Sequence, residues 1–260
     1  MWGWFKKKAK AAWEAVKQGA QAAGNFVSGA AAGIWGFVSA ALHFVLSIFD
    51  VLLTSFGNMV FKKTRVYVKI LSNDKGPLIN PRDHLSQHEW SKLLEAVHEA
   101  RRIFEKELNT TVIPSSDAET ISIIPEPAPQ AALRPRGGGG CVWDVLGAAG
   151  DFYRWHEQRN AGSYLFGYGA PITVFIVEDT QGGDAGVSPG PAGNYVLVDL
   201  DGITQSPSWT LAHELGHACN LIGHAGAGDS LMRHEFAGRK DYLKRWQKVI
   251  ARASRHVTIG

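Results

Sequence analysis

Thr210-Leu211-Ala212-His213-Glu214-Leu215-Gly216-His217-Ala218-Cys219-Asn220 is the stretch whose reading organises the rest of this chain. Ser206-Pro207 lies just upstream and predicts an N-cap followed by a first helical residue. Asn220 tolerates left-handed backbone, so the helix can end there. His213 and His217 are four apart and lie one turn above each other on one helix face. They can present imidazole nitrogens to one metal ion. Glu214 stands beside them. It can accept a proton from metal-bound water, whose pKa zinc lowers to about 7.

A third protein ligand is required to complete such a centre. His224 follows His217 by seven residues, and Asn220 and Gly223 between them allow the chain to turn back. Asp229 and Glu235 are the alternatives. Asp229-Ser230-Leu231-Met232 comes next. This pattern resembles the metzincin clan of zinc metalloproteases, whose signature is H-E-x-x-H-x-x-G-x-x-H followed by a methionine-containing turn. The likeness is good over residues 172–235 and extends loosely back to Arg65. Two positions depart from the signature. Asn220 replaces its glycine, and Gly223 stands where the third histidine normally falls, one residue before His224.

The resemblance implies that His213, His217 and His224 bind Zn2+, that Glu214 is the general base, and that Met232 forms the turn beneath the metal. Some members place an oxyanion-stabilising tyrosine two residues after that methionine. Here His234 holds the position and can donate a similar hydrogen bond. Peptide substrates of the clan lie extended along an edge strand, for which the 184–194 loop is the place.

Working outward, Ile172–Glu178 and Tyr195–Leu200 are rich in β-branched and aromatic residues and predict strands, separated by a Gly/Pro-rich loop over 179–194. Arg65–Leu71 alternates apolar and polar residues, which predicts another strand. Ser86-Gln87-His88-Glu89 is a capping box opening a helix of about twenty residues, whose apolar positions run from Trp90 to Leu108. Val142–Gln158 predicts a second helix. Asp241–Ser254 predicts a last one, with Tyr242, Leu243, Trp246, Val249 and Ile250 on its apolar face. The proline- and glycine-rich stretch 114–140 reads as an exposed insertion, interrupted by a short strand at Thr120–Ile124. The fold class expected is α/β (α+β): a metzincin-like catalytic domain over 63–260, with a twisted mixed sheet and a site helix.

Residues 1–62 differ in kind. The chain of 260 residues has a net charge of +3, yet residues 1–20 hold five lysines against one acid, Glu14. The positive charge is thus a local tip, which gives no argument for nucleic-acid binding. Trp2, Trp4 and Trp13 lie among these lysines, a pairing that suits a membrane interface. Gly29 and Gly33 form a small-xxx-small pair. Ile34–Phe61 then runs 28 residues without Lys, Arg or Glu, interrupted by His43, Asp50 and Asn58. The expectation is a hydrophobic, helical, membrane-associating segment, with the side of the membrane left open.

The whole chain therefore reads as a membrane-tethered zinc metalloendopeptidase acting on peptide or protein substrates. The competing reading places the activity in residues 1–61, as a membrane-active or pore-forming segment, with the C-terminal domain a processing or payload module. Cys219 reads as a small buried residue, with a bond to Cys141 as the alternative. Asp199 and Asp201 read as strand-end acids, or as orienting partners for a ligand histidine. His84, His88, His98, His156 and His256 lack ligand-like spacing and read as surface residues.

Overall fold

The computed structural model describes residues 30, 31, 34, 35, 38, 59–72, 85–137, 144, 146–159, 169–190, 193–204, 209–221, 224, 230–233 and 240–259. Strand β1 (Lys62–Ile70) alternates buried and half-buried positions, as its alternating sequence requires. Helix α1 (Gln87–Leu108) opens on the capping box: the Glu89 N–H donates to Ser86 Oγ (3.2 Å), and the Ser86 N–H donates to Glu89 Oε2 (2.6 Å). There follow β2 (Thr110–Ile113), one helical turn α2 (Asp117–Thr120), β3 (Ile121–Ile123), the short α3 (Gln130–Leu133) and α4 (Ala148–His156). The site half of the chain is built from β4 (Ile172–Val177), β5 (Gly186–Val187), β6 (Tyr195–Asp199), α5 (Leu200–Thr204) and α6 (Thr210–Ala218). Helix α7 (Arg245–Arg252) and β7 (Val257–Ile259) close it.

The sheet is mixed, in the order β2-β1-β4-β6-β5, with β3 and β7 also paired to β1. β1 runs parallel to β2, β3 and β4 and antiparallel to β7. β4 and β6 are parallel, and β5 is antiparallel at the edge. Every residue of β4 and β6 is buried, because both faces of these strands are covered. Ile172, Val174, Ile176, Val196 and Val198 point into one core, which they share with α1 and with Leu211, Ala212, Leu215 and Ala218 of α6. Phe175, Val177, Tyr195 and Leu197 point into the other, against Ala132, Leu133, Ala149 and Tyr153.

The second core corrects the reading of 114–140 as an exposed insertion. Ile124, Ala128, Ala132 and Leu133 are buried in it, and β3 is a sheet member. Over the described residues 114–137 the stretch is anchored at these buried positions and at Pro135, while Pro125, Pro127 and Pro129 between them face solvent. β2, β7 and α5 had no expectation behind them. The last helix buries a different face from the one expected. Leu243 is buried ahead of it and Gln247, Ala251 and Arg252 within it, while Tyr242 and Trp246 are exposed. His256 is also buried, its Nδ1 donating to the Ala170 carbonyl at 2.7 Å.

Arg252 occupies the end of α1. Its guanidinium donates to the Leu108 carbonyl, one of the acceptors a helix C-terminus leaves unpaired, and to Val60 O at 2.8 Å. Lys62 Nζ returns a bond to Arg252 O (2.8 Å), and Asn109 Nδ2, on a left-handed C-cap, donates to Met59 O (2.7 Å). The chain entering β1 is thus clamped by three polar contacts, at Met59, Val60 and Lys62. Of residues 1–58 only five are described. They are helical, and Ile34, Trp35 and Val38 among them are exposed. His43, Asp50 and the expected long apolar helix lie outside the described residues. Among the described residues no helix is long and apolar enough to cross a membrane.

Arg252→Ala removes a charged donor from the Leu108 and Val60 carbonyls, leaving Leu108 O its bond from Thr110 Oγ1, and opens a cavity, at roughly 1.5–3 kcal/mol for each charged hydrogen bond lost. A loss of about 3 kcal/mol or more is expected in urea unfolding, against under about 1 kcal/mol for the exposed Arg245→Ala.

Candidate metal centre

Helix α6 starts after Trp209, its N-cap residue, and ends at Cys219. Ser206 and Pro207 lie outside the described residues. The helix terminates as the sequence suggested. Asn220 takes φ 70°, its N–H donates to His217 O (3.1 Å), and the Leu221 N–H donates to Gly216 O (3.1 Å). This is the Schellman pattern of helix ends. It brings the Leu221 carbonyl back to His217, whose Nδ1 donates to it at 2.5 Å. His213 finds a different carbonyl: its Nδ1 donates to Leu231 O at 2.8 Å.

Leu231 is held in a turn. The Met232 N–H donates to Ser230 Oγ (3.0 Å), the Arg233 N–H to Ser230 O (3.2 Å), and the Leu231 N–H to Tyr242 O (2.9 Å). Met232 is fully buried beneath the site helix. A Cβ on Gly216 would lie 2.6 Å from Met232 Sδ, so only glycine lets the methionine sit against this turn of helix. The glycine thus serves packing, with Met232 as the atom group it admits.

The two carbonyl bonds decide the chemistry of the rings. A carbonyl oxygen only accepts, so each Nδ1 carries its hydrogen, and the Nε2 of the neutral imidazole is a lone pair. These lone pairs face each other. His213 Nε2 and His217 Nε2 are 3.1 Å apart, and His217 Nε2 and His224 Nε2 are 3.3 Å apart. The rings of His213 and His224 lie within 16° of parallel, with His217 near perpendicular to both. His213 is buried, His217 half-buried and His224 at the surface. The three donor atoms lie within 4.8 Å of one another, close enough to hold a metal ion. Ligands at about 2.05 Å in tetrahedral array stand about 3.3 Å apart, so the spacing fits a shared cation.

Glu214 is 5% exposed and is not one of these donors. Its side chain lies against β5: a Cβ on Gly186 would meet Glu214 Cγ at 2.7 Å and Oε1 at 2.9 Å. β5 reaches this place through Asp199. The Asp199 N–H donates to Ala185 O (3.0 Å), and its carboxylate accepts from the N–H of Thr180 (2.8 Å) and of Asp201 (2.7 Å). The idea that Asp199 or Asp201 orients a ligand histidine is thereby corrected. Asp199 staples the loop to the strand, and backbone carbonyls orient the histidines. Sequence could not reveal the carbonyls, since every residue carries one. Gly186 was missed too, and the only signal for it was a glycine inside a loop full of glycines.

No protein-family model matches the chain, and no curated protein matches it. The site must therefore be judged by its geometry. That geometry brings together His213, His217, His224 and the Met232 turn. His234, Asp229 and Glu235 lie outside the described residues. Cys219 is a free thiol and fully buried, and Cys141, its alternative partner, lies outside the described residues. Burial pushes it up to about 12, so it is a packing residue and not a nucleophile.

His224→Ala removes one of three donors from a site whose other two are preset by carbonyls. Competition against a chromophoric chelator is expected to show at least a hundredfold weaker metal binding, with the thermal midpoint of the metal-free protein unchanged.

Proposed function

We propose that the chain is a zinc-dependent metalloendopeptidase of metzincin type. The observation that carries this reading is the convergence of three imidazole Nε2 atoms, two with their Nδ1 committed to carbonyls. An all-imidazole set of three donors suits zinc, and such a set leaves a fourth position open. Zinc bound there supplies an acidified water and a Lewis acid for the scissile carbonyl.

The chain's own residues supply the rest. His213, His217 and His224 hold the metal. Glu214, adjacent in sequence to His213 and sheltered from solvent, takes the proton of the attacking water and delivers it to the leaving amine nitrogen. The amide nitrogen gains basicity once its carbonyl carbon is tetrahedral, so the proton taken from water ends on the departing amine as the C–N bond breaks, and the proton count balances. His234 is the candidate donor to the oxyanion.

Edge strand β5 supports a peptide substrate. Ala185 is opposite Asp199 and bonded to it, and in an antiparallel pair such bonded positions alternate with outward-facing ones. Gly186, opposite Val198, therefore turns its N–H and C=O away from β6, where an extended peptide can add as a further strand. The tether is residues 1–62. The exposed Ile34, Trp35 and Val38, and the Trp- and Lys-rich tip, support contact with a lipid surface.

In Glu214→Gln the carboxamide cannot take a proton. A quenched-fluorescence peptide library is expected to show activity reduced by roughly a thousandfold or more, the combined effect of losing base and acid roles, while one equivalent of zinc remains bound. Full peptidase activity in this variant would refute the role given to Glu214.

A further inference from the structure

We propose that Gly186 is the positioning residue for Glu214, an inference that rests on the peptidase reading above. Glycine at 186 is not required by its backbone; it is absent from the positions with positive φ. What it lacks is a side chain, and the space is taken. A Cβ there would meet three consecutive positions of one residue: Glu214 Cγ at 2.7 Å, Cδ at 2.8 Å and Oε1 at 2.9 Å. Contacts below 3.0 Å force a shift. The atoms that must give way belong to the flexible end of a single side chain, so neither β5 nor α6 need move.

The consequence is unusual for a half-buried glycine. A methyl group at 186 leaves the fold intact and displaces the carboxylate that handles the proton. The backbone of β5 thus acts as a flat stop, fixing how far Glu214 leans from the His213–His217 face toward the sheet edge. The stop itself is rigid. Asp199 bonds Ala185, Thr180 and Asp201, and Gly202 of α5 packs so closely behind Ala185 that a Cβ on it would lie 2.7 Å from Ala185 Cβ and O. The two glycines therefore differ. Gly202 faces backbone, so its replacement strains the strand. The three atoms nearest a Cβ on Gly186 all belong to the Glu214 side chain.

A displacement of about 1 Å at a reacting group costs on the order of a hundredfold in rate. The test compares full-length wild type with Gly186→Ala and Gly202→Ala. Gly186→Ala is expected to lower kcat ten- to a hundredfold with KM within twofold, zinc stoichiometry unchanged and the thermal midpoint within about 2 °C. A crystal structure of this variant should show the Glu214 carboxylate moved by about 1 Å with the three histidines in place. Gly202→Ala should instead lower the thermal midpoint by several degrees. Unchanged kcat in Gly186→Ala, loss of zinc, or a Glu214 side chain in its original position would overturn the proposal. Failure of the underlying reading looks different: wild type itself would cleave no peptide, while the crystal structure of Gly186→Ala would still report on the carboxylate.

Discussion

Three imidazole Nε2 atoms gathered around one small volume, two of them fixed as lone pairs by the Nδ1 bonds to carbonyls, are the constraint on which the rest of this structure depends. His213 and His217 thus present acceptor nitrogens to each other at 3.1 Å, which repel unless a cation shares them, and His224 Nε2 stands 3.3 Å from the second. The fold forces the arrangement at both preset rings. Each Nδ1 is tied to a carbonyl, one supplied by the helix's own termination and one by a turn 18 residues further along. The site is therefore preorganised: the cost of orienting the ligands is met when the chain folds, not when metal arrives.

Much of the surrounding architecture follows from holding that helix still. Its inner face joins the core under β4 and β6, whose strands are buried on both sides. Gly216 admits Met232, which carries Leu231 and its carbonyl to the right height. On the other flank the Asp199 N–H ties Ala185, just ahead of β5, to β6, and the Asp199 carboxylate holds the Thr180 loop. Gln247, buried on α7, lies 3.4 Å from Ser230 Oγ and helps to brace the turn from below. The site is thus clasped between an edge strand and a turn, each fixed by hydrogen bonds to backbone.

The elements that were legible in the sequence are those whose signal is local. The capping box at Ser86–Glu89, the alternation in β1, the dense apolar runs of β4 and β6 and the left-handed Asn220 could all be read directly, and so could the spacing of His213, His217 and His224. The chain turns back at Asn220, and His224 Nε2 lies 3.3 Å from His217 Nε2 despite the extra residue before it. The illegible parts are those decided by partners distant in sequence. β2 and β7 are short and gain their identity only by pairing with β1. Arg252 and Gln247 are polar residues on a helix, and no periodicity can tell that a helix end and a turn wait to receive them. The proline-rich 114–140 stretch reads as a surface loop because its prolines hide the few apolar residues, Ile124, Ala128, Ala132 and Leu133, that anchor it. Asp199 carried an ambiguous signal, and only the Thr180 and Asp201 amides resolve it.

The account stands or falls on what lies between the three Nε2 atoms. The most direct measurement is zinc K-edge X-ray absorption on the purified full-length protein. The account predicts three imidazole nitrogens and one light oxygen donor at about 2.0–2.1 Å, with no sulfur neighbour. A spectrum with no bound zinc after loading, or one fitted by sulfur or by fewer than three imidazoles, would contradict it.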